Sequence, residues 1–359
     1  MKGFKPQLLT GFGSGIVPDW EKILKHPIED YLVSSKKDGV RQGNYLKLAK
    51  GRSLKPCKSI RVQEMQQKLH EKYKLTGVVE SEFYAEGFTF PEIMHFYTTE
   101  DIASREKIAE YQREWEKTNG GTESYSAISK GQIVEKFWEF PGRTPEWLAE
   151  WHPELKFHIF DYFDGDLKTT KIDRYFNIQN IIDVDCEFAT VLPQYEFDDL
   201  ESLIEFCQEE IENGNEGAVI MHKHSGYKYG KVSLRSGVGY KYKDDLKQYD
   251  GVILSVGEGT QVKDGVEKTR NELGHSVTSG KKDDREPNGK AKGFKVLLED
   301  GKEMVVSLKG YTDGEKVGLL HNSGKYIGLT IRFTGMPPVK ENGVPRHAHF
   351  TKGNFRDQK

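Results

Sequence analysis

The chain has 359 residues, of which 36% are hydrophobic, 30% charged and 11% aromatic, a polar but globular composition that excludes wholesale disorder and suits two domains with separate cores. Its 53 Lys and Arg against 56 Asp and Glu give a net charge of −3, so any contact with nucleic acid must be a local patch. The balance is uneven, since residues 244–359 carry 20 Lys and Arg against 17 Asp and Glu.

Three distant cysteines, Cys57, Cys186 and Cys207, form no CxxC and exclude a disulfide framework or a zinc ribbon. They point to a reducing cytoplasm. The N-terminus lacks the apolar run of a signal peptide, and no segment approaches the roughly 20 apolar residues of a membrane span. There is no internal repeat.

In chain order, "GFGSG" (Gly11 to Gly15) fits neither GxGxxG nor a P-loop and reads as a flexible leading segment. "EDYLVSSKKDG" predicts a strand from Tyr31 to Ser34 that runs into a tight turn at Gly39, which places Lys36 just after the strand. "IRVQEMQQKLHEKYK" sets Val62, Met65, Leu69 and Tyr73 on one helical face. "GVVESEFYAEG" alternates as a strand does, with Glu80 and Glu82 on one face. Residues 101–117 predict a polar helix. From there to about 153 the chain reads as an irregular insertion with surface helices.

"KFHIFDYF" predicts a compact strand with His158, Phe160 and Tyr162 on one face. "DDLESLIEFCQEEIENGN" predicts a helix capped near Asp198, with Leu200, Leu203, Ile204, Cys207 and Ile211 inward and Gly214 as its stop. "EGAVIM" predicts a buried strand. "VGYKYKDD" predicts a strand with Lys241 and Lys243 on one side and Tyr240 and Tyr242 on the other. Beyond Tyr249, short strands with Gly-rich turns predict a small all-β barrel. "FKVLLEDGKEMVVSL" is a hairpin turning at Asp300-Gly301, "KYIGLTIRF" another strand, and the polar stretch from Thr269 to Gly293 a long exposed loop.

A lysine that attacks a phosphate needs neighbouring cations to clamp phosphates, a carboxylate for ribose hydroxyls, an aromatic face for a base, and oxygen ligands for a divalent metal. The chain supplies these in order: Lys36 in "KKDGVR", Glu82, Phe160, Glu216, and the pair Lys241 and Lys243. Each has a plainer reading alone. "KKDGVR" could be a charged turn, Glu82 a solvated strand carboxylate, Phe160 core, and the lysine pair an edge-strand solubility device. Together, in this order, these elements favour function. His222 with His224, and His347 with His349, lack a third ligand and read as surface or structural residues.

This series resembles the covalent nucleotidyltransferase superfamily, most closely the small ATP-dependent DNA ligases of viruses and phages, from about residue 31 to the end. "KKDGVR" resembles the K-x-D-G-x-R motif, "GRSLKP" (Gly51 to Pro56) the element that contacts the nick phosphate, and "ESEFYAEG" the D-G-E-L motif. "FHIFDYF" resembles the adenine-stacking motif, "NEGAVIM" the fourth motif, "YKYK" the K-x-K motif, and the C-terminal "RHAHFTKGNFRDQK" the last motif.

The resemblance implies an α+β fold: an ATP-grasp-like adenylation (nucleotidyltransferase) domain over residues 1–243, then an all-β OB-fold domain over 244–359. Lys36 becomes the nucleophile, Glu82 the ribose ligand, Phe160 the adenine platform and Glu216 a metal-site carboxylate. Ser34, Lys241 and Lys243 fall at the nucleotide, Arg41 and Arg52 at the nucleotide and nick, and Arg356 and Lys359 at the ATP pyrophosphate; Lys231 and Arg235 read as a basic surface toward DNA or, nearly as readily, as a solvated loop. ATP, Mg²⁺ or Mn²⁺ and nicked duplex DNA are the implied cofactors and partner, for a cytoplasmic monomer without a membrane or an obligate protein partner.

Two departures stand out. Glu80-Ser81-Glu82 replaces D-G-E, and the terminal R-D-Q-K shifts the usual acid by one place, so no role passes to Asp357. The stretch 87–155 is longer than in the smallest such ligases. Alternatives that share the fold are an mRNA-capping guanylyltransferase and an RNA ligase; one that does not share the chemistry is a non-catalytic OB-fold nucleic-acid-binding protein.

Overall fold

The computed structural model describes residues 4–12, 18–45, 47–99, 125–129, 132–138, 143–243, 246–267, 269–270, 273, 276–277, 281–338 and 343–356. The chain divides into two compact units, whose main boundary falls between Tyr242 and Lys243.

The first unit opens with short strands β1 (Gln7–Leu8) and β2 (Thr10–Phe12) and one helical turn, α1 (Trp20–Ile23), capped by Asp19. Gly11 and Phe12 thus lie in a strand rather than in a flexible segment, while Gly13 to Gly15 lie outside the described residues. β3 (Tyr31–Lys36) runs two residues past the expected end, so Lys36 is its last residue. The chain then reverses into β4 (Val40–Tyr45) and β5 (Leu48–Gly51). Gly39 makes this reversal possible: a Cβ there would lie 2.5 Å from the Phe83 carbonyl oxygen and 2.8 Å from Glu82 Cγ. Glycine lets the turn after Lys36 press directly onto the strand that carries Glu82.

α2 (Ile60–Tyr73) forms where the spacing predicts it, with Val62, Met65 and Leu69 buried, Ser59 as its N-cap and Lys74 closing it at φ +49°. β6 (Val78–Tyr84) follows, then α3 (Phe90–Thr98), which starts with a Thr89–Glu92 capping box. The helix predicted over 101–117 lies outside the described residues. Within the stretch expected to be irregular, β7 (Tyr125–Ser129) and β8 (Gln132–Trp138) pair antiparallel, and α4 (Pro145–Ala149) follows. β9 (Lys156–Phe163) is the predicted compact strand.

α5 (Lys171–Ile181) has no counterpart among the sequence expectations. After β10 (Ala189–Val191) comes α6 (Leu200–Glu212), capped by Asp199, one residue past the expected cap. β11 (Gly217–His222), β12 (Gly230–Lys231) and β13 (Gly239–Tyr242) complete the unit.

Two sheets organise it, one in the order β10-β9-β6-β4-β5 and the other β2-β13-β11-β3, with β1 and β12 as a small parallel pair. The first sheet shares a core with α2 and α3 through Val62, Met65, Phe83, Phe96, Phe157 and Ile159. The second packs Tyr31, Val33, Ala218, Ile220 and Tyr240 against Leu203 and Cys207 of α6. Burying each large apolar side chain contributes about 2 kcal/mol.

The second unit contains β14 (Lys247–Val262), the small hairpin β15 (Thr269–Arg270) and β16 (Ser276–Val277), β17 (Arg285–Leu297), β18 (Glu303–Lys309), α7 (Asp313–His321), β19 (Thr330–Met336) and β20 (Arg346–Thr351). Five of these strands close a barrel in the order β14-β17-β18-β20-β19 around Ile253, Phe294, Val296, Val306, Phe333 and Phe350. The predicted hairpin is present: Leu297 faces Glu303 and Gly301 turns at φ +81°.

Two expectations change here. β17 already begins at Arg285 and pairs with β14 out to Val262, so much of the expected loop is strand. Strand β19 begins only at Thr330, because Ser323–Lys325 forms a 3₁₀ turn. The three cysteines are buried and free, and no helix among the described residues is long and apolar enough to cross a membrane.

Candidate active site

A cavity in the first unit is lined by both of its sheets and encloses about 790 Å³, part of it open solvent. The sheet register explains its first wall. Ser34 on β3 faces Val219 on β11, which faces Lys241 on β13. Residues opposite one another share a face, so this row points together into the cavity. Lys36, two residues beyond Ser34, shares that face and lines the same wall. Its Nζ pairs with the Glu216 carboxylate, and the Glu216 N–H donates to the Lys36 carbonyl at 2.8 Å.

The second wall comes from β4, β6 and β9. Arg41 and Glu82 are opposite partners. Burial pushes the Glu82 carboxyl above its ordinary range, against the pull of Lys36, Arg41 and Arg52. Glu80, two residues before, is 3% exposed and accepts from Arg41 Nη2 at 2.7 Å and from Tyr227 Oη at 2.8 Å. Burial works against the charge on Arg41, yet Glu80, with Tyr227 and Glu82, more than offsets it and keeps the guanidinium firmly protonated.

Phe160 reaches the cavity through a β-bulge. Glu82 faces His158 and Ser81 faces Ile159, but Glu80 faces Asp161, which leaves Phe160 as the extra residue. Two consecutive residues, Phe160 and Asp161, therefore line one cavity. The bulge also corrects an expectation: Tyr162 does not share the face of Phe160 but lies in the core with Phe157 and Ile159. Its hydroxyl accepts from the Gly77 N–H at 3.1 Å. The Arg41 guanidinium lies 5.1 Å from the Phe160 ring centre.

Behind Phe160, α5 inserts charge. Arg174 donates Nε and Nη2 to the two Asp161 oxygens at 2.8 and 3.1 Å. Lys171, 1% exposed, donates Nζ to the Phe160 carbonyl at 2.5 Å. Burial alone would raise the Asp161 carboxyl, but Arg174 and Lys171 hold it well below the usual range. Burial pulls Lys171 down.

The cavity thus brings together Ser34, Lys36, Arg41, Arg52, Glu82, Phe160 and Lys241, with Glu216 bonded to Lys36. The remaining candidates lie elsewhere. Lys231 is exposed on β12, and Arg235 sits in the 3₁₀ turn Leu234–Ser236. Lys243 follows the end of β13 and belongs to the second unit, as does Arg356, whose Nε lies 3.9 Å from Asp250 Oδ2. Lys359 and Asp357 lie outside the described residues.

His222 stacks on His26 with ring centres 3.8 Å apart, and His224 lies 3.5 Å from Asp30. Among the described residues no three His, Cys, Asp or Glu side chains are grouped to hold a metal. Sequence reasoning missed Gln7, Asp161 and Lys171 as wall residues. Of these only Asp161 had a signal, since a carboxylate beside a strand aromatic needs a partner once buried.

No family model matches the chain, and no curated protein matches it. Solved structures do. A structure from a study of DNA binding with a minimal scaffold by Lig E DNA ligases is 15% identical, with a TM-score of 0.58 over 98% of this chain and 99% of that one. One described as Pmar-Lig_Pre is 15% identical, with a TM-score of 0.59 over 99% of this chain and 68% of that one. The chain shares the mixed α and β fold of these proteins over nearly its whole length.

Proposed function

We propose that the chain is an ATP-dependent DNA ligase that seals a 5′-phosphate to a 3′-hydroxyl at nicks in duplex DNA. The observation that carries this is one cavity holding Lys36, Glu82, Phe160, Lys241, Arg41 and Arg52 within a fold shared with a Lig E DNA ligase. In this reading the five-stranded barrel is an OB-fold domain and the first unit an adenylation domain.

Lys36 Nζ, as the free amine, attacks the α-phosphorus of ATP, and the bond to pyrophosphate breaks to leave a lysyl-adenylate. The AMP then passes to the 5′-phosphate of the nick and regenerates the lysine. Finally the 3′-hydroxyl attacks that phosphate, the phosphodiester forms and AMP leaves. Each step is an in-line transfer governed by position and charge. Glu82 takes the ribose hydroxyls, Phe160 stacks on the base, and Ser34 and Lys241 border the phosphates. Lys243 joins them on the K-x-K resemblance, Arg41 positions Phe160, and Arg52 faces the nick. Arg356 and Lys359 are assigned to the departing pyrophosphate.

The oxygen donors beside Lys36 fit a hard divalent cation held chiefly by substrate phosphates and water, with Glu216 as the protein ligand, which suits Mg²⁺ or Mn²⁺. Bound there, it would neutralise charge on the phosphates. Lys231 and Arg235 would meet duplex phosphates without reading sequence. The protein acts as a cytoplasmic monomer.

The test is incubation with α-labelled ATP, and separately α-labelled GTP, followed by denaturation. A covalent label from ATP alone, discharged by nicked DNA with sealing and abolished in a folded Lys36→Ala variant, is the expected result. Label from GTP alone would mark a capping-type guanylyltransferase, and label retained by Lys36→Ala would overturn the nucleophile.

A further inference from the structure

Gln7 lines the cavity, is 4% exposed and belongs to none of the motifs. Its backbone N–H donates to Tyr227 Oη at 2.9 Å, and its side-chain Oε1 accepts from the Lys228 N–H at 2.9 Å. The second bond fixes which end of the amide is oxygen, because only an acceptor can face that N–H. The other end, Nε2, is buried and has no hydrogen-bond partner among the described residues. A buried NH₂ without an acceptor is costly, so a ligand atom able to accept from it would be favoured.

The backbone of Gln7 is linked by hydrogen bonds to a particular end of the cavity. Tyr227, which accepts from Gln7, donates to Glu80; Glu80 holds Arg41; and Arg41 lies over the Phe160 ring. Gln7 is therefore tied through three side chains to the aromatic platform rather than to the Lys36–Glu216 end. On an adenine the edge acceptors are ring nitrogens, whereas the exocyclic amine is a donor that would face the amide NH₂ badly.

We propose that Gln7 is a base-reading residue whose Nε2 donates to a ring nitrogen of the purine stacked on Phe160. This rests on the nucleotide-binding reading above. A hydrogen bond of this kind discriminates strongly against an analogue that lacks the acceptor, since the protein donor is then left unpaired.

The test is calorimetric titration of the full chain with ATP and with its 1-deaza, 3-deaza and 7-deaza analogues, each of which replaces one ring nitrogen by C–H. The unmodified protein should bind one of the three about 10-fold more weakly than ATP. Gln7→Glu keeps an acceptor for the Lys228 N–H but replaces the NH₂ by oxygen. It should weaken ATP by about 10-fold or more and lose or invert the preference over that analogue. Gln7→Met should flatten the preference likewise. Equal binding of ATP and all three analogues by the unmodified protein would overturn the proposal without recourse to any variant. An undiminished preference in folded Gln7→Glu would do the same. Failure of the unmodified protein to bind ATP at all would overturn the ligase reading and the base-reading role with it, whereas ATP binding without analogue preference overturns Gln7 alone.

Discussion

His158 shows how a single residue of the site strand records its surroundings. It is partly buried, edge-on to the Tyr84 ring at 5.2 Å, and burial, with Lys37 and Lys156 adding to it, pushes the imidazole down to about 4 from its ordinary 6.5. The unfolded chain takes up a proton near 6.5 while the folded chain resists it until about 4. Stability is therefore lost as pH falls through that window, by at most about 2 kcal/mol at pH 5. His158→Gln removes the titrating group. Its urea midpoint should fall less than that of the unmodified protein between pH 7.5 and pH 5, and parallel declines would contradict the buried neutral imidazole. The charged residues nearby follow another rule. Asp161 is buried against Arg174, so its charge persists where a lone one would not.

At the scale of elements, the decisive feature is the bulge in β9, and α5 is what braces it. The Phe160 carbonyl, displaced from the regular ladder, accepts from Lys171 Nζ, while Arg174 one turn on grips Asp161 through two bonds. Lys171→Met should leave the Arg174–Asp161 pair intact but free the bulge, and weaken ATP binding by about 10-fold. Placed in a Phe160→Ala background, the same change should cost little more, because the platform it steadies is gone; equal losses in both backgrounds would show no coupling between them. This is also where sequence patterning reaches its limit. α2, α6 and the β17–β18 hairpin are legible because their apolar period or turn chemistry is local. α5 is not, because the residues it buries are Lys171, Arg174 and Ile178, a helical face made mostly of charge. The bulge is likewise invisible, since alternation counts Tyr162 on the face of Phe160 when one extra residue has turned it into the core. Gln7 sits in a two-residue strand, too short for any period. The cavity-lining motif residues are legible because the proposed chemistry would call for their types; Gln7 is not, because its partners Tyr227 and Lys228 lie more than 200 residues along the chain.

For the molecule as a whole, the proposed reaction divides its labour between chemical steps that make different demands. Pyrophosphate leaves only in the first step, so a cation assigned to pyrophosphate matters there and nowhere else. Arg356 is the described residue on which that distinction can be tested. Its backbone N–H donates to the Thr330 carbonyl at 2.9 Å, and the neighbouring Phe355 bridges to Ile331, so Phe355 and Arg356 are anchored along β19. Its side chain is 49% exposed and only 3.9 Å from an Asp250 oxygen, while Asp250 already takes both arms of Arg332 at 2.8 and 2.7 Å. So exposed a contact contributes about 0–1 kcal/mol, and Arg356→Ala should leave the melting temperature of the barrel nearly unchanged. The variant should lose lysyl-adenylate formation by about 100-fold or more, the scale of a lost transition-state charge contact. It should still seal a nick supplied already adenylated, at close to the unmodified rate. Comparing the two substrates in one preparation separates the alternatives: loss in the first alone assigns Arg356 to the departing pyrophosphate, whereas equal loss in both would mean that it serves the DNA or the fold, and that the step-specific division of labour is wrong.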